Sequence, residues 1–91
     1  EALRDLALLV PIDIPAGNVQ TIIEQNPLVA RATLFDVYLG SRVETGERSL
    51  AYRVFLQAQD HTLTAQEVNK AMERTLARLE RELGATQRYQ G

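Results

Sequence analysis

Residues 49–56, SLAYRVFL, alternate Leu50, Tyr52, Val54 and Leu56 with Ser49, Ala51, Arg53 and Phe55. Of the second set Arg53 has the most chemistry to offer. Its guanidinium carries a permanent charge, a planar fork of donors and a flat face, so it can meet a phosphate or stack on a base. Ser49 and Ala51, with Ala7 in an earlier alternating run, are small enough to let a flat ring approach the backbone. The carboxylates of Asp5 and Asp36 can accept from a base amino group or pair with Arg53. Both readings of Arg53 stand at this point: a ligand contact, or an ion pair with Asp5 or Asp36 on a solvated sheet. Likewise, Ser49 and Ala51 can be small because an adjoining domain packs there. Asp36 reads first as a strand carboxylate that satisfies neighbouring amides or an Arg. Phe35 and Phe55 read as packing residues, although Phe55 falls on the small and polar side by alternation.

No residue is nominated as catalytic. His61 is the one histidine, precedes a long helical pattern and has no second His or any Cys to complete a metal site, so it reads as a polar loop residue. A hydrolase would need a nucleophile beside a base, or a glycine-rich anion loop with an arginine at the end of the first strand, and neither is present.

The elements that must position these residues follow from pattern and punctuation. LALLVPIDI, from Leu6 to Ile14, reads as a strand with Leu6, Leu8 and Val10 on one face and Asp5, Ala7 and Leu9 on the other, its pairing broken at Pro11. PAGNVQTIIEQNP carries a short helix with Asn18 at its start, a stripe of Val19, Ile22 and Ile23, and a stop at Asn26-Pro27. Strands are expected over residues 29–38 and 49–58, joined into a hairpin by a charged loop over residues 40–46. Thr64 and Glu67 have capping-box spacing. Behind them Val68, Met72, Thr75, Leu76, Leu79 and Leu83 recur at threes and fours until Gly84, and the charged run ERTLARLERE reads as the solvated face of that helix. A short last strand over residues 85–89 completes the order β-α-β-β-α-β.

That order predicts an α+β, ferredoxin-like sandwich, a four-stranded antiparallel sheet with both helices on one face and the first and third strands in the middle. The small and polar residues of those two strands then share the uncovered face. Many unrelated proteins use this fold, so function must come from the residues.

Ninety-one residues, 45% hydrophobic and 24% charged, fit one soluble domain over residues 1–91. With no Cys there are no disulfides and no thiolate metal sites. No apolar run is long enough for a membrane span, and EALRDLALLV carries charge where a signal peptide would not, so a cytoplasmic location and no membrane partner are expected. The chain begins without Met and almost directly in an apolar alternation, which reads as a module excised from a longer polypeptide. A net charge of -2 argues mildly against nucleic acid, since phosphate binders usually carry a basic excess.

RDLAL, IPAG, FDVY followed by Gly40, SLAYR, TLT with the later Glu67-Val68, and ELGA stand in this order along nearly the whole chain. Together they resemble the ferredoxin-fold anticodon-binding domain at the C-terminus of the phenylalanine-tRNA ligase beta subunit. The resemblance implies a noncatalytic module that holds the anticodon stem-loop of tRNA(Phe). Activation and transfer, with ATP and magnesium, would then occur in other parts of a large heterotetramer, and this domain would need no cofactor of its own. Its partners would be that stem-loop, the remaining beta-subunit domains and the alpha subunit. Matched position by position, it implies contacts at Arg4, Asp5, Ala7, Asp36, Ser49, Ala51 and Arg53. Tyr52 departs from the family pattern, which often has a smaller aliphatic residue there, and Gln87 stands where an apolar residue is expected. A protein-docking or regulatory ligand-binding domain of the same fold is the alternative.

Overall fold

The computed structural model describes residues 2–38 and 46–88. Along the chain these form β1 (Ala2–Pro11), α1 (Ala16–Glu24), β2 (Val29–Tyr38), β3 (Glu47–Leu56), α2 (Ala65–Leu83) and β4 (Thr86–Gln87). The strands make one four-stranded sheet in the order β2-β3-β1-β4, with antiparallel pairing throughout. This is the ferredoxin-like arrangement, with the first and third strands at its centre.

β1 begins at Ala2, earlier than the apolar run suggests, because it pairs with β3 residue for residue from Ala2 opposite Leu56 to Pro11 opposite Glu47. Pro11 ends it, having no amide to donate to the ladder. β4 is shorter than expected, and the expected strand residue Tyr89 lies outside the described residues, as does most of the 40–46 loop. Gly46, at the end of that loop, has a φ of 78°, a left-handed conformation that glycine adopts without strain.

One face of the sheet is core. Leu6, Leu8 and Val10 of β1 and Leu50, Tyr52, Val54 and Leu56 of β3 are all buried against Val19 and Ile23 of α1 and Val68 and Leu79 of α2. Burying side chains of this size is the main favourable contribution to such a fold, roughly 1.5 to 3 kcal/mol each. The buried Tyr52 keeps its hydroxyl satisfied by donating to the Ala16 carbonyl at 2.8 Å. Burial pushes that hydroxyl up to about 12, against the opposing charge of Arg48.

α2 starts with the expected capping box: Thr64 Oγ1 accepts from the Glu67 amide at 3.1 Å and the Glu67 carboxylate accepts from the Thr64 amide at 2.9 Å. It ends on Gly84 at a φ of 71°. Its most buried line is Val68, Ala71, Thr75 and Leu79, while Met72 and Leu76 are only partly buried at its flank. The helix is turned slightly from the stripe read in the sequence because Asn26, at the end of α1, donates to the Ala71 carbonyl and to Thr75 Oγ1, both at 3.2 Å.

Candidate nucleic-acid interface

Among the described residues, no helix covers the other face of the sheet. Antiparallel register brings side chains into rows across it, since paired residues point to the same side. Leu3, Phe55 and Arg31 make one row, and Asp5, Arg53 and Thr33 the next. Ala7, Ala51 and Asp36 follow, then Leu9, Ser49 and Tyr38. Of the residues nominated from the sequence, Asp5, Ala7, Asp36, Ser49, Ala51 and Arg53 therefore share this face. Arg4 does not. It pairs with Val54, a core-side position, and lines a groove with Asn69, Met72 and Glu73 of α2.

A β-bulge shapes the face. Leu34 opposes Tyr52 and Asp36 opposes Ala51, so Phe35 is the extra residue between them. Its ring, 49% exposed, is not the packing residue expected from the sequence. It walls a cavity of about 320 Å³ whose lining includes Asp5, Ala7, Ala51, Gln87 and Arg88. The two alanines form the floor because they leave the space empty. Past the bulge the phase of β2 is shifted, so Tyr38 stands opposite Ser49 on the open side.

Three guanidinium–aromatic contacts cross this face among the described residues. Arg31 lies 3.8 Å from the Phe55 ring centre, Arg53 4.9 Å from that of Phe35, and Arg88 6.0 Å from that of Tyr38. Such contacts hold flat cations over flat rings and leave both surfaces ordered for stacking. Arg53 also donates to Asp5, Nε to Oδ1 at 3.0 Å and Nη2 to Oδ2 at 3.3 Å. This bond holds the Asp5 carboxyl below its ordinary range and pushes the Arg53 guanidinium up, so both stay charged. Of the two partners offered by the sequence, Arg53 takes Asp5. Asp36 is exposed.

The net charge of -2 is distributed unevenly. α2, on the opposite side of the sheet, balances Glu67, Glu73, Glu80 and Glu82 with Lys70, Arg74, Arg78 and Arg81, whereas on the open face Arg31, Arg53 and Arg88 outnumber Asp5 and Asp36. The acidic balance of the whole chain thus says little about the charge that this face presents.

His61 lies elsewhere, ahead of α2, with Nδ1 at 2.7 Å from Asp60 and Nε2 at 2.9 Å from Glu67. It serves the polar loop role expected of it. Among the described residues no group of three or more His, Cys, Asp or Glu side chains could hold a metal ion, and no helix is long and apolar enough to cross a membrane.

Phe35, Tyr38, Arg31 and Arg88 extend the face beyond the residues read from the sequence, while Gln87, though it lines the cavity, stands opposite the core residue Leu8. Tyr38 follows from the bulge, which alternation does not announce, whereas Phe35 keeps the parity of Arg31 and Thr33. Arg88 owes its place to pairing at the C-terminal end, where its amide donates to the Ala7 carbonyl at 2.8 Å.

An open sheet face with ordered arginines and aromatic rings over a floor of small residues defines a ferredoxin-like domain suited to binding unpaired nucleotides. A model of the ferredoxin-fold anticodon binding domain matches residues 1–88, and the chain belongs to that family. Similar sequences include phenylalanine–tRNA ligase beta subunits. The one from Methylococcus capsulatus is 44% identical over 90% of this chain and 11% of its own length. That from Moorella thermoacetica is 46% identical over 93% of this chain and 11% of its own length. That from Geobacillus kaustophilus is 41% identical, again over 93% and 11%. The chain thus spans about a tenth of the length of the relatives it matches.

Proposed function

We propose that this chain is the anticodon stem-loop binding module of a phenylalanine–tRNA ligase beta subunit. It holds the loop of tRNA(Phe) against the open sheet face and supports aminoacylation without taking part in the chemistry. The observation that carries this reading is the cavity between Phe35 and Arg88, floored by Ala7 and Ala51, in a chain of this family. Loop nucleotides are recognised by stacking and by hydrogen bonds to exposed base edges. Phe35 supplies a flat surface at the cavity, the Arg53 guanidinium another beside that ring, and Asp5 a polar group at the same cavity. On this reading ATP and magnesium act in other parts of the ligase, which is cytoplasmic, and this domain needs no cofactor. The remaining beta-subunit domains and the alpha subunit of a heterotetramer hold the rest of the tRNA, which accounts for a module with so modest a basic surface.

The test is aminoacylation kinetics of the whole ligase carrying Ala51→Leu, whose side chain would occupy the cavity floor. Weakened charging at low tRNA concentration with the fold retained is expected. Unchanged kinetics in a folded variant would remove the sheet face as a tRNA surface and favour docking of a neighbouring protein domain there.

A further inference from the structure

The arginines of the open face are not electrically equivalent. The charge of Arg53 is compensated by Asp5 through two hydrogen bonds. Arg88 has its guanidinium tied instead to a neutral hydroxyl, Nη1 donating to Ser49 Oγ at 3.3 Å. Among the described residues no ion pair to Arg88 is formed. From these contacts we infer that Arg88, rather than Arg53, is the phosphate-binding residue of this face, and that Ser49 is its positioning residue. The inference rests on the RNA-binding reading above and assigns one contact within it.

The backbone brings Arg88 to the place. Its amide bond to Ala7 continues the β1–β4 pairing one residue beyond Gln87 and sets Arg88 in the row of Ala7. From there the side chain crosses β1 above the methyl of Ala7 and reaches Ser49 on β3, a passage that a larger residue at position 7 would obstruct. Ser49 is only 4% exposed, so its hydroxyl is a fixed anchor rather than a mobile surface group. Tyr38, with its ring centre at 6.0 Å, adds a second restraint.

A guanidinium carries five N–H donors, and one hydroxyl occupies only one of them. Arg88 is also one of the residues that line the cavity. A base in the cavity leaves its phosphate at the rim, where a positioned guanidinium with no ion-pair partner among the described residues makes a short charge-assisted bond at little ordering cost. Arg53, already forked onto a carboxylate, would have to break two bonds to do the same.

The experiment is a titration of the 91-residue chain with a fluorescently labelled tRNA(Phe) anticodon stem-loop at salt concentrations from about 50 to about 200 mM. Each phosphate contact to a single strand contributes about -0.7 to the slope of log affinity against log salt. Arg88→Ala is expected to make the slope shallower by about 0.7, and Arg88→Lys to restore it. The double variant Asp5→Asn with Arg53→Gln removes a compensated pair and keeps the wild-type slope, whatever it does to affinity. Ser49→Ala weakens binding, and adding it to Arg88→Ala has little further effect, as a positioning role requires. Circular dichroism confirms that each variant is folded. Saturable wild-type binding whose slope is unchanged by Arg88→Ala overturns the inference and leaves the RNA-binding face standing. The same unchanged slope with lost discrimination between loops also overturns it, by assigning Arg88 to a base. Failure of the wild-type chain to bind saturably overturns the RNA-binding reading, and this inference with it.

Discussion

Arg53 forks onto Asp5, with Nε and Nη2 at 3.0 and 3.3 Å from the two carboxylate oxygens. The residues are direct partners across β1 and β3, and the same guanidinium lies 4.9 Å from the centre of Phe35. One contact therefore does two things: it cancels a charge in the middle of the face, and it fixes a flat plate beside the cavity. The pair is about half exposed, so its value lies in orientation rather than in stability.

Releasing Arg53 should exchange specificity for stickiness. In Asp5→Asn the guanidinium is free to seek phosphate, so the salt dependence of stem-loop binding should steepen by about 0.7 in slope. Discrimination between the tRNA(Phe) loop and a loop with its anticodon replaced should fall. Both quantities come from titrating the two loops in parallel; an unchanged slope would mean that Asp5 does not restrain Arg53.

Phe35 should matter for binding and not for folding. Its ring is half exposed, so Phe35→Ala should shift stability by less than about 0.5 kcal/mol. Loss of a stacking surface should cost about 1 to 3 kcal/mol of stem-loop affinity. Phe35→Tyr should retain most of it. Denaturation and binding isotherms measured on the same samples separate the two effects, and a large stability loss would return Phe35 to the packing role read from the sequence.

The core makes the converse prediction. Leu79 is fully buried between α2 and the sheet, and Leu79→Ala should cost about 2 to 5 kcal/mol, as for buried leucines generally. Urea denaturation gives the number. A loss under about 0.5 kcal/mol, the size of a surface change, would contradict this placement of α2.

The start of α2 should respond to pH. Hydrogen bonds that His61 donates, to Asp60 first and then to Glu67, raise it above its ordinary 6.5. His61 helps to lower Asp60 below 3.8, and Glu67, through the Thr64 amide first and His61 second, is lowered below 4.5. A raised histidine stabilises the fold fully below its unfolded value and loses that contribution as pH rises through the folded one. The lowered carboxylates stabilise above their unfolded values and lose that contribution as pH falls. The cluster should therefore stabilise most between about 4.5 and about 6.5. As the one histidine, His61 gives a single imidazole signal to titrate by NMR. A midpoint at or below 6.5, or His61→Gln leaving the pH profile of stability unaltered, would show that the contacts do not hold in solution.

Much of this architecture is legible in the residues. Strand alternation separates Leu6, Leu8, Leu50, Tyr52 and Val54 from Asp5, Ala7, Ser49, Ala51 and Arg53 because a strand has only two sides. Thr64, Glu67 and Gly84 mark α2 because caps answer local backbone needs. What alternation misses is set by contacts distant in sequence. The bulge at Phe35 depends on β2 fitting β3, and it carries Tyr38 to the open side. Arg88 acquires its place from Ala7 and Ser49, both far away along the chain. Arg4, nominated through the resemblance, goes to the other side from Asp5 as strand alternation itself requires, since it shares the parity of Leu6 and Leu8.

The central claim, that the open sheet face holds the anticodon loop, is tested most directly by mapping amide signals of the 15N-labelled chain during titration with the tRNA(Phe) anticodon stem-loop and with the anticodon-replaced loop. Binding by the isolated chain should be weak, near ~10⁻⁴ M, because few phosphates are contacted. The account predicts shifts concentrated at Ala7, Phe35, Ala51, Arg53 and Arg88, larger for the tRNA(Phe) loop than for its replacement, with α1 and the outer side of α2 unmoved. Shifts centred on the helices, or equal responses to the two loops, would contradict it.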